Sequence, residues 1–200
     1  MIPSEMTNSG SGRHEGKRER LVRSAADLLY RRGVDSPTLA EIAEDADVPV
    51  GNVYYYFKTR DELIEAVIKA RADDLRALLG SLDRRQSPQA RLKGLARAWA
   101  SQRDDVTASG CPLGTLSSEL NKRDRGLDRR AAVLLSMTAD WLEEQFHQLG
   151  RSDARDLAMT MLATHQGAAL LANTLHDPKI LTSQIRHIER WIDTVSADRP

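Results

Sequence analysis

Asn52, Tyr54, Tyr55 and Tyr56 crowd into five residues, and Lys58 and Arg60 follow at once. An amide and three phenols offer donors and acceptors to base edges, while the two cations offer donors to phosphate. Three consecutive tyrosines cover more than half the circumference of a helix, so at least one hydroxyl must point outward. The alternative is a tyrosine-rich packing helix, but Gly51 and Asn52 are poor residues for a helix interior. The spacing predicts that Asn52 and Tyr55 reach base edges. Tyr54, Tyr56, Lys58, Arg60 and Thr38 are expected nearer phosphates, and Val50 and Gly51 complete the DNA-facing set.

Such a surface needs elements to hold it. Thr38 and Glu41 have the spacing of a capping box and open a short helix, with Leu39, Ile42, Ala43 and Ala46 on one face. Asp47 and Val48 break the run. Pro49 suits the first position of a second helix, which extends to about Tyr56. Thr59 and Glu62 repeat the capping-box spacing and start the next helix. Two helices this short bury too little apolar surface to fold alone. Glu15 to Arg32 supplies the third, with Leu21, Ala25, Leu28 and Leu29 on one face and Gly33 as its stop. A tight helix–turn–helix on a three-helix core is the unit whose second helix enters the major groove of DNA.

The run V-P-V-G-N-V-Y-Y-Y-F-K-T-R-D-E-L resembles the signature of the TetR family of bacterial transcriptional regulators. Gly51, Val53, Tyr54, Tyr56, Phe57 and Arg60 match that pattern in order, with Arg60 where the family usually has lysine. The motif covers about a quarter of the chain; the rest is similar to the family in length, helical character and order. The resemblance implies a homodimeric repressor that binds a palindromic double-stranded DNA operator and is released by a small-molecule inducer. It implies no cofactor.

Composition neither demands nor forbids this. The chain has 200 residues, 40% of them hydrophobic, with 29 basic and 29 acidic residues and zero net charge. Basic character is local: Lys17, Arg18, Arg20 and Arg23 oppose only Glu19 in the first helix. No apolar run approaches the ~20 residues that span a bilayer, so no membrane partner is expected. One cysteine leaves no disulfide framework, which fits a cytoplasmic location. Residues 1–13 read as a flexible tail, 14–60 as the DNA-binding domain and 61–198 as a ligand-binding and dimerisation domain.

The periodicity predicts an all-α chain of about nine helices. Breaks fall at Gly80, at Ser87-Pro88, at a fraying stretch Arg103-Asp104-Asp105, at Gly110-Cys111-Pro112, at Gly150 and at Asp177-Pro178. Trp99, Leu113, Leu116, Met137, Trp141, Met159, Leu162 and Gln166 are the candidates for lining a mostly apolar ligand cavity, with Cys111 at its rim. The last two helices carry long apolar stripes and are expected to build a four-helix dimer interface. Its candidates are Leu157, Met161, Gly167, Ala168, Leu171, Leu181, Ile185, Ile188 and Ile192.

Cys111 precedes a helix start, where a thiol gains reactivity, so a redox or electrophile sensor on the same fold is the alternative to an inert core thiol. Glu143 with His147, and His165, His176 and His187, lack the paired spacing of a metal site. Neither a nucleophile elbow nor a Walker loop occurs, which makes a helical enzyme or a binding module without DNA the distant alternative.

Overall fold

The computed structural model describes residues 16–123 and 126–197. The expected tail at 1–13 and the expected start of the long helix at Asp124 lie outside them. The described residues form ten helices: α1 (Lys17–Arg32), α2 (Leu39–Asp45), α3 (Val50–Tyr56), α4 (Arg60–Asp83), α5 (Pro88–Ser101), α6 (Arg103–Ser109), α7 (Pro112–Leu120), α8 (Leu127–Gln148), α9 (Ala154–Leu175) and α10 (Pro178–Ala197). The one beyond the sequence count is α6. The expected break at Asp104 and Asp105 is instead its first turn, where acidic groups favour a helix N-terminus.

Side-chain caps set four of the ten starts. Thr38 accepts from the Glu41 N–H while the Glu41 carboxylate accepts from the Thr38 N–H at 2.7 Å, the reciprocal box that opens α2. Thr59 caps α4 and Ser87 caps α5, with Pro88 in the first turn. Cys111 occupies the same position on α7, its sulfur accepting from the Gly114 N–H at 3.4 Å.

Two apolar cores share three helices. The first joins α1, α2 and α3 to the front of α4 through Leu21, Ile42, Val53, Phe57 and Leu63, and it recruits Leu116 and Leu120 of α7 and Leu134 of α8. The second joins the rear of α4 to α5, α6, the rear of α8, α9 and α10. Helices α4, α7 and α8 therefore have side chains in both cores.

The structure corrects the expected dimer stripe. Leu181, Ile185, Ile188 and Ile192 are at most 3% exposed and close onto their own domain, against α9 and α5. Met161 and Ala168 are buried with them, and Leu157 packs half-buried on the same core. The periodicity located an apolar face but not what covers it. An unpaired apolar surface lies on the other side of α9, where Leu170 is 65%, Leu171 51% and Leu175 61% exposed.

Candidate nucleic-acid interface and ligand cavity

Val53 roots α3 in the first core at 0% exposure, and Phe57 closes the helix at 2%. With those two inward, the opposite face is presented outward: Val50 is 46%, Tyr54 55% and Tyr55 77% exposed. Tyr56 is half-buried and meets Tyr55 edge-on, ring centroids 5.0 Å apart, so the less exposed ring steadies the exposed one. Asn52 is half-buried as well. A Cβ on Gly51 would meet nothing within 4 Å. No neighbour among the described residues excludes a side chain there, although glycine in a helix costs about 1 kcal/mol relative to alanine.

The turn between α2 and α3 is held from α1. Asp47 adopts a left-handed φ of 51°, and the Arg20 guanidinium donates to its carbonyl at 2.9 Å. The Ser24 hydroxyl donates to the Ile42 carbonyl at 3.0 Å, and the Arg18 guanidinium lies 5.1 Å from the centroid of the Phe57 ring. Two of the basic residues that the sequence marked for DNA thus brace the unit that carries α3.

Arg60 is the main difference from expectation. Its guanidinium donates to the Val34 carbonyl at 2.7 Å and to the Pro37 carbonyl, so it ties the start of α4 to the segment before α2. Burial holds its pKa below the ordinary arginine value, and nearby Arg123 adds to that. Lys58 is exposed, with its ammonium donating to the Tyr54 carbonyl at 3.0 Å. Thr38 is exposed and engaged in the α2 cap. Glu41 of that cap has its pKa lowered to about 2, first by the Thr38 backbone N–H and then by Arg32.

A cavity of about 310 Å³ lies behind this unit, between α4, α5, α6, α7, α8 and α9. Of the predicted lining, it brings together Trp99, Cys111, Leu113, Leu162 and Gln166. Four predicted residues are elsewhere. Leu116 is buried in the first core, and Met137 is partly buried against both cores. The Trp141 indole N–H donates to the Asp83 carboxylate at 2.9 Å, and Met159 is 45% exposed on the outer face of α9. Each shares a helix with true lining residues but points along another face, which depends on how the helices are rotated against one another.

His165 was missed as a lining residue. It stacks on Trp99 with ring centroids 4.0 Å and planes 8° apart, and burial pushes its pKa down to about 4. Its place beside Leu162 and Gln166, three back and one on, was the signal that could have found it. Gln166 donates to the Cys111 sulfur at 3.4 Å. Gly114 makes that approach possible, since a Cβ there would lie 2.3 Å from the Gln166 Oε1. The Cys111 thiol is buried, 8% exposed, and serves as a helix cap.

A path of polar contacts between residues far apart in sequence joins the cavity wall to the α3 unit. The Tyr30 hydroxyl of α1 stands 2.7 Å from the Gly110 carbonyl and 3.0 Å from that of Asp105, and donates to one at a time. Burial, then Asp105, pushes its pKa up to about 12, which keeps the proton in place. At the other end of α7, the Glu119 carboxylate accepts from the Val34 N–H at 2.5 Å. Val34 is thus gripped on its N–H by α7 and on its carbonyl by α4.

Two family models match the chain. The one for bacterial regulatory proteins of the tetR family covers residues 21–67. The one for the C-terminal domain of LmrA/YxaF-like transcriptional regulators covers residues 88–187, half of the chain. The chain belongs to the TetR family of transcriptional regulators. An uncharacterised HTH-type regulator in the lacX 3′ region of Lactococcus lactis subsp. lactis is 27% identical over 172 residues, 83% of this chain and 88% of that protein. The transcriptional repressor KstR2 of Mycolicibacterium smegmatis is 33% identical over 86 residues, 41% of this chain and 40% of that one. A TetR regulator of Legionella pneumophila has the same fold, with a TM-score of 0.79 at 18% identity over 94% of this chain and 98% of that chain. The family and these relatives are regulators of transcription, not enzymes.

Proposed function

We propose that this TetR-family regulator is a repressor that binds a palindromic operator as a homodimer and is released when a small, mostly apolar molecule occupies the cavity behind α7. The observation that carries the DNA part is the α3 surface. Val50, Tyr54 and Tyr55 face outward from a helix rooted by Val53, and Gly51 leaves its own surface bare where no neighbour among the described residues requires it. A DNA backbone close to Gly51 accounts for a glycine that the described residues do not need. Tyr55 and Asn52 then face base edges, and Tyr54 and Lys58 lie nearer phosphates. Arg60 acts from behind, by fixing the position of Val34 and Pro37.

The dimer reading rests on the outer face of α9. Met159, Gly167, Leu170 and Leu171 are exposed at helical spacing, a contiguous apolar strip of the sort that a second copy covers. Two α3 helices must sit one DNA turn apart, about 34–36 Å, to read a palindrome. Release then needs only a ligand with higher affinity for a form in which that spacing is wrong. Helix α7 is placed to convey it, since Cys111 and Leu113 line the cavity while Glu119 holds Val34.

The test is fluorescence anisotropy with the DNA upstream of the chain's own gene, alongside sedimentation of the free protein. Salt-dependent binding to one site by a dimer is the expected result. A monomer, or equal binding to unrelated DNA, would refute the reading.

A further inference from the structure

One polar side chain of the cavity wall has an unmet hydrogen-bonding atom. His165 is 3% exposed, and its Nδ1 has no hydrogen-bond partner among the described residues. An unmet buried hydrogen-bonding atom keeps its desolvation penalty uncompensated. Stacking on Trp99 does not call for the nitrogens, because a phenylalanine ring would stack as well. Burial keeps the imidazole neutral, so it carries one bare lone pair and one N–H. Rotation about χ2 has two broad, near-equivalent positions, so either edge of the ring can be turned to an occupant.

The rest of the cavity limits what that occupant is. Leu75, Leu78, Leu113 and Leu162 make its walls apolar, and the Trp99–His165 pair adds a flat aromatic one. Arg71 and Asp74 both line it and carry opposite charges, so neither sign of ligand is selected. Its volume of about 310 Å³ is at the bottom of the ~300–1,000 Å³ range of small-molecule sites, which fits two fused rings rather than a longer molecule.

We infer that the cavity takes a flat, uncharged, two-ring aromatic molecule carrying one N–H or O–H donor, which lies against Trp99 and hydrogen-bonds to the His165 imidazole. This rests on reading the cavity as the ligand site and names the chemistry of its ligand. Donation to the imidazole satisfies a group that the empty protein leaves unmet, and the same shape without a donor buries it a second time.

The probes are indole, which has the donor, and 1-benzothiophene, which has nearly the same shape without it. Equilibrium dialysis against the full-length protein is expected to give indole affinity at least roughly tenfold higher, a difference equivalent to about 1.4 kcal/mol. In His165→Phe, which keeps the ring on Trp99, the two probes should bind alike. Nitrogen NMR of the histidines in the unsubstituted protein makes the test independent of whether that variant folds: indole should shift the His165 ring nitrogens and 1-benzothiophene should not. Equal affinity for the two probes, a preference that survives His165→Phe, or unshifted His165 nitrogens would each overturn the inference. Dialysis needs no DNA, so a failure of operator binding would count against the proposed function and leave this result standing.

Discussion

Replacing Arg60 by alanine separates a residue that touches DNA from one that braces the segment before α2. The substitution removes hydrogen bonds from a guanidinium to the carbonyls of Val34 and Pro37, both buried residues. A hydrogen bond to a charged group contributes about 1.5–3 kcal/mol. Arg60 is only half-buried, and water will take up part of the loss, so the expected destabilisation is about 2–4 kcal/mol for the pair. Urea denaturation followed by circular dichroism measures it. The second readout is the salt dependence of DNA binding by fluorescence anisotropy. Each lost phosphate contact lowers the slope of log K against log salt by about 0.9, so the loss of one from each protomer of a dimer lowers it by about 1.8. If Arg60 acts through Val34 and Pro37, affinity falls while that slope moves by less than about half a unit. Arg60→Lys keeps the charge with a single donor point and should fall between. A slope lower by about 1.8 with stability unchanged would refute the argument and return Arg60 to the phosphate backbone.

Three further outcomes follow from the geometry. Glu119→Ala leaves the Val34 N–H without its acceptor and should weaken operator binding roughly tenfold, whereas Glu119→Gln keeps an acceptor and should stay within about threefold; equal losses in anisotropy would mean that α7 does not position Val34 in this way. Leu170→Asp with Leu171→Asp should give a folded monomer in sedimentation, whereas Ile188→Asp should unfold the chain, because Ile188 is a core residue; a folded monomer from Ile188→Asp would restore the stripe on α10 as the interface. His165 has a folded pKa of about 4 against an ordinary 6.5, so the unfolded chain binds the extra proton between those values. Stability is therefore full above about pH 6.5 and falls as pH drops toward 4, by at most about 3 kcal/mol, and His165→Phe should flatten that part of the denaturation profile.

Local sequence determined what local physics can determine. The Thr38–Glu41 and Thr59–Glu62 spacings placed two helix starts, because a cap is made within four residues. The α3 motif was legible for the same reason: its residues are neighbours in the chain, and three adjacent tyrosines cannot all turn inward. Apolar periodicity found the stripes of α9 and α10 but not which stripe faces a partner, since Ile188 and Leu170 look alike until the helices are packed. The same limit explains the cavity, where Trp99, Cys111, Leu113, Leu162 and Gln166 line the space and Leu116, Met137, Trp141 and Met159 do not. Contacts across long separations were out of reach. The Arg60 grip on Val34, the Glu119 bond to the same residue and the Trp99–His165 stack each join side chains far apart in sequence. Only the relative rotation and docking of the helices, which depend on how whole faces fill space, brought them together.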